Sequence, residues 1–169
     1  SIQSALESNL FDMVMVSTND EEIANVSIQA GAKVPFYRSP KNSDDFATLS
    51  DVMVEVLDLF ATQGVFYDEF CCVLPTAPLL SPKTLIDGHE LLKDGYESLC
   101  GVVPYSYPIQ RALRIFDNKV YMIQPENIFV RSQDLDPTFH DSGQFYWCKS
   151  DAFLLNKRFF SENSGCLIL

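Results

Sequence analysis

The stretch "DMVMVSTNDEEIANVSIQAGA", Asp12 to Ala32, decides the fold class of this protein. Its first part, Asp12 to Thr18, is an apolar run that predicts a buried strand. Its second part predicts a helix with Asn19 or Asp20 as the N-cap, acidic residues in the first turn and Gly31 as the stop. A strand followed directly by a helix is typical of α/β proteins.

The same order of elements repeats along the chain. "KVPFYR" predicts a short strand and "TLSDVMVEVLDLFATQG" a helix with one apolar stripe. "EFCCVLP" is apolar at nearly every position, as parallel strands covered on both faces are. "SPKTLIDGHELLKDG" predicts a helix with Ser81 as N-cap and Pro82 in its first turn. We therefore expect a mostly parallel sheet flanked by helices.

The later part of the chain has a different pattern. "RALRIFDNKVYMI" predicts two short strands about an Asp117–Asn118 turn, and Pro125 to Pro137 predicts an irregular excursion. "GQFYWCK" and "GCLIL" then predict two more strands. We expect a single domain over residues 1–169, with a late antiparallel insertion at roughly 105–142.

Composition excludes several classes of protein. The formal charge of −11, with only twelve scattered lysines and arginines, argues against a nucleic-acid-binding protein. No window is long and apolar enough to predict a membrane span. The five cysteines are odd in number and form no C-x-x-C pair, which favours reduced thiols in a cytoplasmic protein over disulfides or zinc ligands.

Three loops are candidates for a ligand site. In an open parallel α/β sheet the ligand crevice lies beyond the carboxyl ends of the strands, which selects "STND", "RSPKNSDDFAT" and "PTAPLLSP". Their small hydroxylated residues suit a phosphorylated or polyhydroxylated ligand. Arg38 could contact a phosphate or a base, or be a solvated loop arginine. Asp44 and Asp45 could cap the next helix, and Asp45 could contact a ligand instead.

Both histidines were weighed as site residues. His140, Asp141 and Ser142 have the residue types of a hydrolase triad, but neighbours in an extended chain point to alternate faces and cannot form the relay. His140 is therefore a packing residue or a ligand contact. His89 is expected on the surface of its helix, and neither histidine has partners at metal-ligand spacing, so no metal site is predicted.

Several of these motifs, in this order, resemble one enzyme family. "FDMVMVSTNDEEIANVSIQAGAKVPFYRSP", "DDFAT", "CCVLPTAPLL" and "RSQDLDPTFHDSGQFYW" are similar to the cytidylyltransferases that activate nonulosonic acids as CMP-sugars. Within that family, "QDLDPTFHDSGQFYW" is most similar to the members that use pseudaminic acid. The resemblance implies a Rossmann-like nucleotide-diphospho-sugar transferase domain. It also implies transfer of CMP from CTP to the sugar acid with release of pyrophosphate, assisted by Mg²⁺, for bacterial surface or flagellar glycosylation.

The resemblance assigns candidate residues to two sides of a site. On the nucleotide side, Arg38 matches the arginine that reaches the nucleotide. The other nucleotide-side residues match the "D-x-A-[ST]" and "P-T-[SA]-P" loops: Asp45, Thr48, Ser50, Pro75 and Thr76. On the sugar side, Arg131 and Gln133 lie in the excursion, and His140, Asp141 and Gly143 occupy the "R-P-N-G" stretch of the sialic acid enzymes. No catalytic residue is assigned. The family also implies a homodimer paired through the late insertion.

The sequence departs from the family pattern in three ways. Leu74 stands where sialic acid synthetases have a sugar-contacting glutamine, and His140 replaces an arginine. Both departures speak against sialic or legionaminic acid, which is kept as the alternative substrate. The family's basic triphosphate loop and its "D-I-D-T-x-E-D" metal-binding segment have no counterpart here. We therefore expect a chain truncated at both termini, an inactive fragment whose Mg²⁺ ligands lie elsewhere. A non-catalytic binding module is the remaining hypothesis.

Overall fold

The computed structural model describes residues 1–169 and contains five helices and six strands. The helices are α1 (Ile2–Ser8), α2 (Glu21–Gln29), α3 (Leu49–Thr62), α4 (Pro82–Leu92) and α5 (Ser150–Asn156). The strands are β1 (Glu69–Val73), β2 (Ser98–Pro104), β3 (Leu113–Phe116), β4 (Lys119–Met122), β5 (Phe139–Lys149) and β6 (Ser164–Ile168). The predicted α/β class, with a sheet flanked by helices, is confirmed. None of the helices is both long enough and apolar enough to cross a membrane.

The chain divides into two compact units. Unit 1 comprises residues Ser1–Gly101 and Gly143–Leu167, and unit 2 comprises Val102–Ser142 with Ile168–Leu169. Four strands form one sheet in the order β1-β5-β2-β6, and β3 and β4 form a separate two-stranded sheet.

The segments Asp12 to Thr18 and "KVPFYR" were predicted as the first two strands, but they share only one bridging pair of residues. Both strand predictions are therefore wrong. Met15 and Lys33 form an isolated parallel bridge, in which the Lys33 N–H donates to Val14 O (2.8 Å) and the Val16 N–H donates to Lys33 O (2.9 Å). The next rung of a parallel ladder would need an N–H from Pro35, which has none. The segments still run side by side, because the Arg38 N–H donates to Thr18 O at 2.9 Å.

Strand β1 pairs antiparallel with β5, in a register that places Cys72 opposite Tyr146. The parallel pairing expected from the apolar run "EFCCVLP" is therefore wrong for this pair. An apolar run reports that both faces of a strand are covered, and it carries no information on the direction of the neighbouring strand.

The core of unit 1 lies where β5 meets helices α1 and α4. Phe145 and Trp147 point to one face of β5, whereas Tyr146 points to the other and packs against Phe159 with ring centroids 4.8 Å apart. These side chains thus alternate between the two faces of the strand, as the period of two requires. The buried cluster on the first face consists of Ala5, Ala77, Leu80, Leu85, Leu92, Leu99, Phe145 and Trp147. Strand β5 begins four residues earlier than predicted, and helix α5, which follows it, was not predicted.

Local capping signals explain where three of the helices begin. The Asp20 carboxylate accepts from the Ile23 N–H at 2.9 Å, and the Ser81 hydroxyl accepts from the Thr84 N–H at 3.1 Å. Thr48 and Asp51 form a reciprocal capping box at the start of α3. The sequence predicted Asp20 and Ser81 as caps, and both are confirmed.

The predicted hairpin of unit 2 is confirmed as β3 and β4. Asp117 (φ 49°) and Asn118 (φ 54°) both adopt positive φ, which the mirror-image two-residue hairpin turn requires. Strand β3 is exposed along its whole length, including the apolar side chains of Leu113, Ile115 and Phe116. This hairpin therefore presents an uncovered apolar surface.

Candidate functional site

Arg38 stands at the start of the loop that leads into α3, and its side chain is fixed at one end. Its Nη2 donates to Ser17 O at 2.6 Å. Its Nε is buried and has no hydrogen-bond partner. A guanidinium carries five N–H donors in a rigid fork, so an arginine anchored in this way retains donors for an anionic ligand.

Glu55 on α3 contacts the residue that follows Arg38. Its Oε1 accepts a hydrogen bond from the Ser39 N–H at 3.1 Å. Partial burial raises the pKa of the Glu55 carboxyl, but the hydrogen bonds from Ser39 and Asn42 and the charge of Arg38 outweigh it, so the pKa is lowered overall. Glu55 is therefore ionised at neutral pH, next to a candidate nucleotide contact. The sequence analysis did not identify it, although an acidic residue inside the apolar run "VMVEVLDLF" was an available signal.

The "DDFAT" loop is held by Asp44, while Asp45 is exposed. One oxygen of the Asp44 carboxylate accepts from the N–H groups of Phe46 (2.9 Å) and Ala47 (2.8 Å). This turn directs Phe46 outward, where 90% of its surface is exposed. The Asp45 side chain is thereby left facing solvent, at the tip of the loop. That position agrees with ligand contact and does not require it.

Thr48 and Ser50 occupy the first turn of α3. The Thr48 hydroxyl accepts from the Asp51 N–H at 3.1 Å and donates to the Asp51 carboxylate at 2.5 Å. Both hydrogen bonds of this hydroxyl thus belong to the helix cap, and its donor is not available to a ligand. Ser50, two residues after Thr48, is half-buried. The loop before α3 contains Arg38 and Asp45, and the start of the helix contains Thr48 and Ser50. Contacts of Ser39 and Asn42 with α3 hold this loop against the helix.

Pro75 and Thr76 lie in a second exposed loop, directly after β1. The Leu74 N–H donates to Gln144 O at 2.9 Å, and the Ser1 hydroxyl donates to Ala77 O at 3.2 Å. Ala77 is buried. These contacts hold both ends of the loop and leave Pro75 and Thr76 at the surface.

In unit 2, Arg131 is paired with an aspartate of its own turn. Its Nε and Nη2 donate to the two oxygens of Asp134 at 2.7 and 3.2 Å. Gln133 is exposed between them in the short 3₁₀ turn Ser132–Asp134. Exposed ion pairs of this kind contribute little free energy, so a carboxylate ligand can replace Asp134 at low cost.

His140 is the second residue of β5, at the entry to that strand. Its Nδ1 donates to Asp141 O at 2.8 Å, and its ring lies 4.8 Å from that of Tyr105. Since Nδ1 carries the proton in this bond, Nε2 is the acceptor atom of the neutral ring. Asp141 is exposed in the same strand. Gly143, which belongs to unit 1, has φ +62°, a backbone conformation that favours glycine over other residues.

Two further residues support the sugar-side excursion and were missed by the sequence analysis. The Gln110 side-chain amide donates to Asp136 O at 3.0 Å, and Arg111 Nη1 donates to Val130 O at 2.7 Å. Both lie in the 3₁₀ turn Ile109–Arg111. Pro108 signals a turn there, but long-range contacts from side chain to backbone leave no pattern in a sequence.

No three or more His, Cys, Asp or Glu side chains come together in a way that could hold a metal ion. The sequence Asp134-Leu135-Asp136 contains two carboxylates, but that of Asp134 forms an ion pair with Arg131. The residues of this chain therefore do not fit a complete Mg²⁺ site.

Comparison with known proteins decides the family. A family model described as cytidylyltransferase matches residues 1–162. The chain belongs to the cytidylyltransferase family. A pseudaminic acid cytidylyltransferase from Campylobacter jejuni subsp. jejuni serotype O:2 is 37% identical over 171 residues, which cover 100% of this chain and 74% of that protein. The CMP-N,N'-diacetyllegionaminic acid synthase of Legionella pneumophila is 30% identical over 99% of this chain and 73% of that protein.

A solved structure shows the same fold. The CMP:2-keto-3-deoxy-manno-octonic acid synthetase, complexed with CTP, superimposes with a TM-score of 0.64 at 12% identity, covering 99% of this chain and 77% of that one. Family and fold together identify this cytidylyltransferase chain as a nucleotidyltransferase. An identity of 12% supports only the fold and does not identify the substrate of this chain.

Proposed function

We propose that this protein transfers CMP from CTP to a nonulosonic acid, and that the acid is pseudaminic acid. The observation that carries the proposal is the 37% identity to the Campylobacter pseudaminic acid cytidylyltransferase over the whole chain. The anomeric hydroxyl oxygen of the sugar would attack the α-phosphorus of CTP. The bond from that phosphorus to the pyrophosphate oxygen breaks, and the hydroxyl proton leaves to solvent or to a base that we do not assign.

On the nucleotide side, the proposal uses the loop from Arg38 to Ser50. Arg38 donates to CTP, and Asp45 and Ser50 contact the nucleotide from the loop tip and from the first turn of α3. Thr48 contributes by shaping that turn, since its hydroxyl is engaged with Asp51. Pro75 and Thr76 line the floor of the site. Because the protein carries a net charge of −11, such local donors have to offset an unfavourable overall field.

On the sugar side, the proposal uses residues of the excursion and of β5. Arg131 would exchange Asp134 for the carboxylate of the sugar acid, and Gln133 would contact its hydroxyl groups. His140 Nε2 and Asp141 would accept hydrogen bonds from sugar hydroxyls, and Gly143 allows the backbone turn between them and the core strand.

The proposed partners are CTP, the sugar acid and a second copy of the chain. The apolar β3–β4 hairpin supports the homodimer, because Leu113, Ile115 and Phe116 have no cover. Mg²⁺ is proposed from the resemblance alone. The proposed location is the cytoplasm, supported by the free thiols of Cys71, Cys72, Cys148 and Cys166. Within this proposal, residues 1–169 form one domain with an insertion at about 105–142.

Legionaminic acid is the second candidate substrate, since the Legionella synthase is 30% identical over nearly the whole chain. Leu74 favours pseudaminic acid over sialic acid, because an apolar side chain cannot replace the amide contact of a glutamine.

A pyrophosphate-release assay on the natural full-length protein tests the proposal. CTP would be supplied with pseudaminic, legionaminic or sialic acid in turn, with and without EDTA. We expect release with pseudaminic acid and its loss in EDTA. Release with only one of the other acids would make the substrate assignment wrong, and no release with any acid would overturn the proposed reaction.

A further inference from the structure

Glu55 is a partly exposed carboxylate at the edge of the apolar stripe of α3. Val52, one turn earlier, and Val56, next to it in the chain, are buried. Placing a carboxylate in such surroundings is unfavourable unless hydrogen bonds or an opposite charge compensate. Here hydrogen bonds from Ser39 and Asn42 and the charge of Arg38 compensate, so two of the three partners belong to the junction of Arg38 and Ser39.

That junction is held by two different elements. The segment that bridges to Lys33 fixes Arg38, because Thr18 O accepts from its N–H and Ser17 O accepts from its Nη2. Helix α3 fixes Ser39, because the Glu55 carboxylate accepts from its N–H at 3.1 Å. The direction in which the Arg38 guanidinium leaves the backbone therefore depends on Glu55.

Two atoms of this arrangement are buried without a partner. They are the Nε of Arg38, a donor, and the Oε2 of Glu55, an acceptor. Leaving such atoms unmatched has a free-energy cost, and native structures contain few of them. A purely structural ion pair would match this donor with this acceptor, whereas here Arg38 Nη2 donates to Ser17 O and Glu55 Oε1 accepts from the Ser39 N–H.

We infer that Glu55 is a positioning residue for the nucleotide: from α3 it holds the Arg38–Ser39 junction in the shape in which Arg38 meets CTP. Glu55 acts through Ser39 and does not itself touch the nucleotide. The inference rests on the proposed function for the identity of the nucleotide. The contacts that carry it all lie in unit 1.

Steady-state kinetics on the natural full-length protein give the first test. Glu55→Ala removes the acceptor for the Ser39 N–H, whereas Glu55→Gln retains an oxygen there. We expect Glu55→Ala to raise KM for CTP about tenfold, as the loss of one charge-assisted hydrogen bond does, and Glu55→Gln to stay within about threefold of the parent. KM for the sugar acid should not change. Asp58→Asn, which removes an exposed carboxylate one turn later on α3, is the matched control.

Arginine-selective labelling of the 169-residue chain gives a test that needs no activity. Phenylglyoxal modification of Arg38 is followed by peptide mass spectrometry, with exposed Arg114 as the internal standard. Glu55→Ala should speed the modification of Arg38 relative to Arg114 by about threefold or more, while Glu55→Gln and Asp58→Asn should not. Thermal unfolding of each variant confirms that the fold is retained.

These experiments separate the two proposals. If the parent protein does not use CTP, the proposed function fails, and the labelling still decides whether Glu55 holds Arg38. If the parent uses CTP, but Glu55→Ala changes neither KM for CTP nor the labelling of Arg38, the positioning role is wrong. An equal rise in KM for CTP and for the sugar acid would also overturn it.

Discussion

Gly88 on α4 lies against Trp147 on β5 so closely that a Cβ at position 88 would come within 3.2 Å of the indole. The same Cβ would lie 3.1 Å from Phe145. This approach brings the next residue, His89, onto the sheet, where its ring stacks on Trp147 at 4.7 Å and its Nε2 lies 2.8 Å from Glu69. His89 is therefore half-buried, and its prediction as a surface residue is wrong.

Gly88→Ala should destabilise the protein. Alanine normally favours a helix over glycine by about 1 kcal/mol. Here the added methyl group meets two side chains that are 0% and 3% exposed and have little room to move. We expect a net loss of about 1–2 kcal/mol in the free energy of unfolding, measured by urea denaturation followed by circular dichroism. Glu90→Ala, at an exposed position of α4, is the control, and a Gly88→Ala protein as stable as its parent would show that the contact can relax.

The capping box of α3 predicts a dependence of stability on pH. Hydrogen bonds from the Thr48 hydroxyl and the Thr48 N–H lower the pKa of Asp51 below its ordinary value of 3.8. The unfolded chain therefore takes up this proton at a higher pH than the folded one, so the contribution is present above 3.8 and is lost as pH falls below it. The unfolding midpoint should fall more steeply in acid for the parent than for Asp51→Asn. Equal slopes for the two proteins would contradict this.

The cysteines should differ in reactivity towards iodoacetamide. Burial raises the pKa of Cys72 to about 12, and burial with neighbouring thiols raises that of Cys148 to about 12. Because the thiolate is the reactive form, both should resist alkylation near pH 8, whereas exposed Cys166 should react first. Peptide mass spectrometry over a time course measures the order. Labelling in denaturant, where all five should react, is the control, and early labelling of Cys72 or Cys148 in the folded protein would refute the assignment.

His140→Ala tests the sugar-side assignment in the natural full-length protein. Removal of an acceptor that contacts the sugar acid should raise KM for that acid about tenfold, with KM for CTP changed less than about twofold. Lys119→Ala, an exposed change in the same unit, should leave both unchanged. If only KM for CTP rises, His140 does not belong to the sugar side.

The 169-residue chain alone should give no detectable CTP turnover. The chain covers 74% of the length of the Campylobacter relative, and its side chains form no complete site for the Mg²⁺ of the proposed reaction. The pyrophosphate assay compares this chain with the Campylobacter pseudaminic acid cytidylyltransferase at equal concentration. A rate near that of the relative would show that the 169 residues suffice.

The sequence predicted features that depend on residues close together in the chain, and it missed features that depend on long-range contacts. Asp20 and Ser81 were identified as caps because a cap depends on residues within one helical turn. The prediction of the first two strands failed because Pro35 has no N–H to continue the pairing. That effect can be foreseen only when the partner segment is known. Arg38 was predicted as a candidate site residue from its place after a predicted strand, and this stays a prediction. Glu55 was missed because its contact with Ser39 joins residues sixteen positions apart.

The uncovered β3–β4 hairpin has a consequence for how the chain behaves before any partner is bound. A short two-stranded sheet with bare apolar faces and free edges is a template for unwanted pairing and aggregation. Arg114 and Lys119 interrupt its apolar run and put positive charge on both strands, which disfavours pairing along the strand edges. These two residues therefore limit aggregation through the strand edges, and they leave uncovered the apolar side chains that the proposed dimer would use.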